Sequence, residues 1–231
     1  MAHSLASVDQ YILQHLDPLD LLSIPNAIPS LADSAKSVRS VEWNIDNFLE
    51  RFFDPGDVAP FRTWQEKADA IISGSAALQF FERSSYVGSD IDVYVDCRRF
   101  DPDEFKDMMD SVGYDYNKVV MDYANEPMQR VGDTELEPLT YDSFSNAFHD
   151  IVTPALHRIR RIERVKGKSH IFLSNPNLHL PRNAGRRGNG IIGVFEFVKR
   201  GSTPEKRFQL IISSLSPLDL VFNFHSSKSI S

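Results

Sequence analysis

The sequence predicts an α/β (α+β) fold: a short mixed sheet with flanking helices, preceded by a helical N-terminal section. Three observations carry this expectation. Asp90 to Asp96 alternates strictly between polar and apolar residues, the period of a half-buried strand. Ile191 to Lys199 and Arg207 to Ser213 are two more strand-like runs, separated by a Gly- and Pro-containing stretch, as in an antiparallel hairpin. Apolar residues recur at spacings of three and four through residues 7 to 53 and again from Tyr141 to Val165, the helical period.

Taken in order, Val8, Tyr11, Ile12 and Leu16, then Leu19, Leu21, Leu22 and Ile24, then Val41, Ile45, Phe48 and Leu49 mark N-terminal helices broken at Pro18, Pro25 and Pro29. Pro55-Gly56 reads as a turn, and Pro60 as the first residue of a helix running to Lys67. Ala70 to Ser73 is an apolar run expected as a buried strand, and Ala76 to Arg83 a helix behind the Gly74-Ser75 turn. In the strand that follows, Ile91, Val93 and Val95 should face the core, and Asp90, Asp92, Tyr94 and Asp96 the open side. Asp101 should cap a helix that has Pro102 first and ends at Gly113, with Glu104 completing a capping box. From Tyr114 to Leu139 the periodicity is weak, which predicts loop with short elements. Pro154 should kink or divide the helix over Tyr141 to Val165, and Pro217 to His225 should form the last one.

Composition bounds the function classes. A length of 231 residues with 42% hydrophobic content suits one sizeable domain, or one domain with a small appendage. Sixteen phenylalanines point to a core that leans on aromatic packing. A net charge of −7 argues against binding nucleic acid through a broad basic face. The single cysteine, Cys97, excludes an internal disulfide and reads as structural. The seven histidines show no zinc-ligand spacing. No secretory leader is expected at Met1 to Leu5, and no apolar run approaches the ~20 residues of a membrane span. The expectation is a protein of the cytoplasm or nucleus with no membrane partner.

The chemistry concentrates at Gly74-Ser75 and Asp90-Ile91-Asp92. A glycine at the strand-to-helix turn lets the backbone approach a phosphate closely, and the helix N-terminus favours its negative charge. Asp90 and Asp92 stand two residues apart on one strand, so both point to one face, about 6.6 Å apart along the chain. Carboxylates so placed suit Mg²⁺ or Mn²⁺, hard ions that share oxygen ligands with substrate phosphates. Two basic segments lie elsewhere. One is the helix end with Arg158, Arg160, Arg161, Arg164, Lys166 and Lys168, which reads as a solvated complement to the helix C-terminus or as a clamp for polyanions. The other is the glycine-rich stretch Arg182 to Gly190, which contains Arg186 and Arg187 and reads as a basic flap over a nucleotide or as a plain loop.

The stretch Ala70 to Phe81, continued through Asp90-Ile91-Asp92, resembles the signature of the nucleotidyltransferase superfamily, whose relatives include DNA polymerase beta. With the tail Phe208-Gln209-Leu210-Ile211, Ser216-Pro217-Leu218 and Phe224-His225-Ser226, the chain is similar to a group of uncharacterised fungal proteins with a nucleotidyltransferase-like domain. The resemblance implies a domain over residues 57–226, after a helical section over 1–56 and before a disordered tail over 227–231. It implies Mg²⁺-dependent transfer of a nucleoside monophosphate from a nucleoside triphosphate to an acceptor hydroxyl that the sequence does not identify. By the same resemblance Gly74 and Ser75 bind nucleotide and Asp90 and Asp92 hold metal; Gln209, and Arg186 and Arg187 on the basic-flap reading, are the further nucleotide-binding candidates. Such proteins use three carboxylates for two metal ions. Gln209 stands where the third is expected, and Glu196 is the alternative, either facing the site or facing solvent from a half-buried strand. If neither completes the site, the fold binds nucleotide or a partner without catalysing transfer. Tyr11 to Leu22 resembles the middle of an F-box, which implies a protein partner through residues 7–53; the other reading is a helical layer packed on the domain.

Overall fold

The computed structural model describes residues 3–122, 141–166 and 190–226. The N-terminal section forms α1 (His3–Gln14), α2 (Pro18–Ala27), a 3₁₀ turn over Pro29–Leu31, α3 (Ala32–Glu42) and α4 (Ile45–Leu49). Asp17 caps α2 by accepting the Asp20 N–H at 2.8 Å, and Pro18 takes the first helical position, where its missing N–H costs nothing. Pro25 does not break the chain as expected. It sits inside the last turn of α2, which runs on to Ala27, so one lost bond near a helix end only shortens the helix.

The chain continues with α5 (Val58–Lys67), β1 (Ile71–Ser73), α6 (Gly74–Glu82), β2 (Ile91–Asp96), α7 (Pro102–Ser111) and β3 (Tyr114–Asp122). It continues with α8 (Phe144–Lys166), β4 (Ile191–Lys199), β5 (Arg207–Ser213) and α9 (Pro217–Ser226). Five strands form one mixed sheet in the order β1-β2-β5-β4-β3, in which only β2 and β5 run parallel. β4 and β5 form the expected antiparallel hairpin. Asp101 caps α7 through the N–H groups of Asp103 and Glu104, and Gly113 follows with φ +74°. Glu104 itself reaches Lys67 at 2.7 Å. Among the described residues no helix is long and apolar enough to cross a membrane.

Three expectations are corrected. α5 starts at Val58, which puts Pro60 third in the helix, still within the turn whose N–H groups have no intrahelical partner. α8 is a single helix of 23 residues that passes through Pro154 undivided. Buried Phe144, Ala147, Phe148, Ile151, Val152 and Ile159 lie on both sides of that proline, and their packing outweighs one missing hydrogen bond. Residues 114–122 form a nine-residue strand, not a loop. Register shifts between Tyr116 and Lys118 and between Val119 and Met121 interrupt its pairing with β4. Each bulge resets the two-residue period by one position, which is why no alternation is visible.

Buried side chains fall into two clusters. The larger holds Ile91, Val93 and Val95, all at 0% exposure, with Phe53, Phe61, Phe105, Phe197 and Phe208 from the surrounding elements. Phe208 meets Phe53, Phe61, Phe105 and Phe197 with ring centroids 5.9 to 6.4 Å apart, the aromatic core that the composition predicts. Cys97 is buried in the same cluster. The smaller cluster is Leu13, Leu21, Ala35 and Val38 with Leu16, Ile24 and Trp43, all from the N-terminal layer. Phe48, Leu49, Phe52 and Phe53 already belong to the larger one.

Candidate functional site

β1 delivers the chain into a tight turn at the sheet edge. It is an edge strand with half-buried residues, more exposed than its apolar run implies, because only β2 covers one side of it. Gly74 opens α6 with φ +66°, a conformation that side chains resist. A Cβ there would lie 2.0 Å from Asp92 Oδ2. The backbone therefore touches the acid directly, which only glycine permits. Ser75 is exposed in the first turn of α6, and its backbone N–H hydrogen-bonds to Asp92. Ser73 pairs with Asp92 across β1 and β2.

Gln79 holds the turn from within. Its side chain is 1% exposed, donates Nε2–H to the Ser75 carbonyl at 3.1 Å and accepts the Tyr86 N–H at 2.8 Å. It thus ties the first turn of α6 to the segment that leads into Asp90. In the sequence Gln79 is inconspicuous. The only signal is a glutamine four residues after Ser75 on a helix face otherwise made of Ala76 and Phe80.

Asp92 and Gln209 are paired across β2 and β5. From that level the Gln209 amide reaches Asp90, donating Nε2–H to Oδ2 at 2.8 Å. Burial first, and the Asp90 charge second, push the Asp92 carboxyl up to about 6, against the hydrogen bond from Ser75. Burial, then the Asp92 charge, also push the Tyr94 phenol up to about 12. Among the described residues neither Asp90 nor Asp92 forms an ion pair. The result is a half-buried acid pair in which Asp92 gives up its proton reluctantly until positive charge arrives.

Glu196 is drawn elsewhere. It pairs with Gln209 across β4 and β5, so β5 lies between it and Asp92, about 9.6 Å away by strand spacing. Glu196 is 5% exposed. Its Oε1 accepts Asn117 Nδ2–H at 2.6 Å and lies 3.5 Å from Lys118 Nζ, both on β3. Among the described residues no group of three His, Cys, Asp or Glu side chains is close enough to hold a metal ion.

Asp96, expected on the open face with Asp90 and Asp92, is 6% exposed. The Arg98 guanidinium binds both its oxygens at 2.5 to 3.1 Å, and the Arg98 N–H caps Oδ1 at 2.9 Å. An adjacent cation thus neutralises the third carboxylate of the strand. Arg207, also inconspicuous in the sequence, stands two residues before Gln209 on the same strand face, held by Glu205 at 2.7 Å. Its charge is felt by Glu205 first, and also by Glu196 and Asp90. Arg186 and Arg187 lie outside the described residues.

No family model, curated protein or solved structure matches the chain.

Proposed function

We propose that the Gly74-Ser75 turn and the Asp90/Asp92 pair form a Mg²⁺-dependent nucleoside-triphosphate site of nucleotidyltransferase type. The observation that carries this reading is the contact of Gly74 with Asp92, with a Cβ position 2.0 Å from Oδ2. A phosphate-binding turn and a metal-binding acid are thereby one local unit. The donor set fits Mg²⁺ or Mn²⁺: two hard carboxylates with no basic partner bonded to either, one of them pushed up to about 6 by burial and repulsion. Asp90 and Asp92 would hold the ion, and when bound it supplies charge neutralisation on the phosphates.

The remaining work falls to the chain. The exposed Ser75 side chain, with the N-terminus of the nine-residue α6, binds phosphate oxygens and favours their charge. Gln209 fixes one oxygen of Asp90 and leaves the other free to ligate. In the transfer, the acceptor hydroxyl gives up its proton to water, its oxygen bonds to the α-phosphorus, the bond from that phosphorus to the bridging oxygen breaks, and pyrophosphate leaves with that bond's electron pair. Orientation and charge placement carry most of such a step.

A second reading is binding without transfer. Two observations favour it: a neutral amide stands at Gln209, and the carboxylate of Glu196 is engaged by Asn117 on the far side of β5. In that case a nucleotide is held and no acceptor hydroxyl is engaged.

Calorimetric titration of the four ribonucleoside triphosphates with Mg²⁺ tests the site, on wild type and on Asp90→Asn/Asp92→Asn. Binding that needs Mg²⁺ and disappears in the variant supports both readings, and no binding to wild type overturns both. Pyrophosphate release in the presence of candidate acceptors then separates transfer from binding alone.

A further inference from the structure

At the opposite end of α6 from the Gly74-Ser75 turn, Arg83 spans the seam between the N-terminal layer and the sheet domain. Its Nη1 donates to the Gln14 carbonyl at 2.9 Å, its Nη2 donates to the Leu16 carbonyl, and its guanidinium lies 5.9 Å from the centre of the Trp43 ring. Both carbonyls sit at the end of α1, where unpaired C=O groups and the helix dipole favour a cation. Arg83 itself adopts φ +53°, a left-handed position better suited to glycine. The side chain is what makes arginine useful there.

Two further observations describe the seam. The layer has its own small core, separate from the cluster that begins at Phe48. Moreover, of the four buried side-chain polar atoms without a hydrogen bond among the described residues, three are Trp43 Nε1, Arg83 Nε and the neighbouring Ser84 Oγ. Buried donors without acceptors disfavour the closed state, since water satisfies them on opening. A layer with its own core, meeting the domain across a seam with unpaired donors and a two-carbonyl arginine clasp, is suited to come away whole.

We propose that residues 3–43 form a dockable helical module that opens and closes as a unit about the Trp43–Asn44 junction, latched by Arg83. The inference does not depend on the nucleotide reading. It does place the latch at one end of the helix whose other end carries the candidate phosphate turn, so docking and occupancy of that turn would bear on the same rigid element.

Hydrogen exchange on the full chain tests it with two opposed variants. Arg83→Gly removes the clasp while suiting the left-handed backbone, so α6 keeps its end. Amide protection across α1 to α3 should fall at least tenfold together, with β2, β4 and β5 unchanged. Trp43→Phe keeps the ring under the guanidinium but deletes the unpaired indole N–H, and protection across α1 to α3 should rise severalfold. Loss of protection spread equally over the sheet in Arg83→Gly would mean a structural cap only. No change in that variant, or a loosened layer in Trp43→Phe, would also overturn the latch.

Discussion

Gly74 and Asp92 are in direct contact: a methyl group on Gly74 would sit 2.0 Å from Asp92 Oδ2, at a backbone φ of +66°. The turn and the acid therefore cannot vary independently. Any side chain at position 74 must push the Asp92 carboxylate out of its place or shift the turn, and either change spoils the geometry of both.

Gly74→Ala should destabilise the protein by about 2–4 kcal/mol, from left-handed strain plus the forced displacement of Asp92. It should also abolish nucleotide binding. Gly56, whose Cβ would meet nothing within 4 Å, is the control, and Gly56→Ala should stay within about 0.5 kcal/mol of wild type. Urea melts of both variants check this; equal effects would remove the special status of the contact.

Asp92 makes stability fall with rising pH. Its folded-state value is raised from 3.8 to about 6 by burial and by Asp90. Below pH 3.8 both folded and unfolded chains hold the proton, and the group contributes nothing. Between 3.8 and 6 the unfolded chain releases it first, so stability declines, and above 6 the full cost is present. Asp92→Asn should accordingly raise metal-free stability at pH 7.5 by roughly 1–3 kcal/mol and leave it unchanged at pH 3.5. A gain that persists at pH 3.5 would assign the effect to something other than titration.

Gln209→Glu places a third carboxylate in contact range of Asp90. Without metal the variant should melt lower than wild type, since like charges then crowd a half-buried site. Saturating Mn²⁺ should raise its melting temperature by more than it raises that of wild type. An equal Mn²⁺ response in the two proteins would show that position 209 does not face the metal-binding oxygens.

Lys199 ends β4 with 8% of its side chain exposed, paired with Asp57 at 2.8 Å and Asp54 at 3.1 Å, and bonded to the Val112 carbonyl. Removing one member of a buried pair strands the others. Because Asp54 is 66% exposed, Lys199→Met should cost about 2–3 kcal/mol while leaving nucleotide affinity intact. Loss of affinity at unchanged stability would transfer Lys199 from the scaffold to the site.

Local pattern was enough wherever the chain follows one period without interruption. β2, β4 and β5 alternate or run apolar for six to nine residues and stand where the pattern puts them. The cap at Asp101 and the turn at Gly74 act over a few residues and are equally visible. β3 is hidden because its bulges break the period, and Pro154 misleads because packing along α8 overrides a local penalty. The site divides in the same way. Asp90, Asp92, Gly74 and Ser75 lie within 19 residues of one another and share one strand, turn and helix.

By itself, then, the sequence determined the strand that carries the acids, the glycine turn beside it and the aromatic core behind it, since each depends on neighbours a few residues away. Only the tertiary structure decided which charges remain available. Parallel pairing of β2 with β5 brings Gln209 onto Asp90 from 119 positions away. The β3-β4 pairing turns Glu196 toward Asn117, and the fold buries Asp96 under Arg98. Such encounters rest on strand order, and strand order is set by how the whole chain buries its apolar faces.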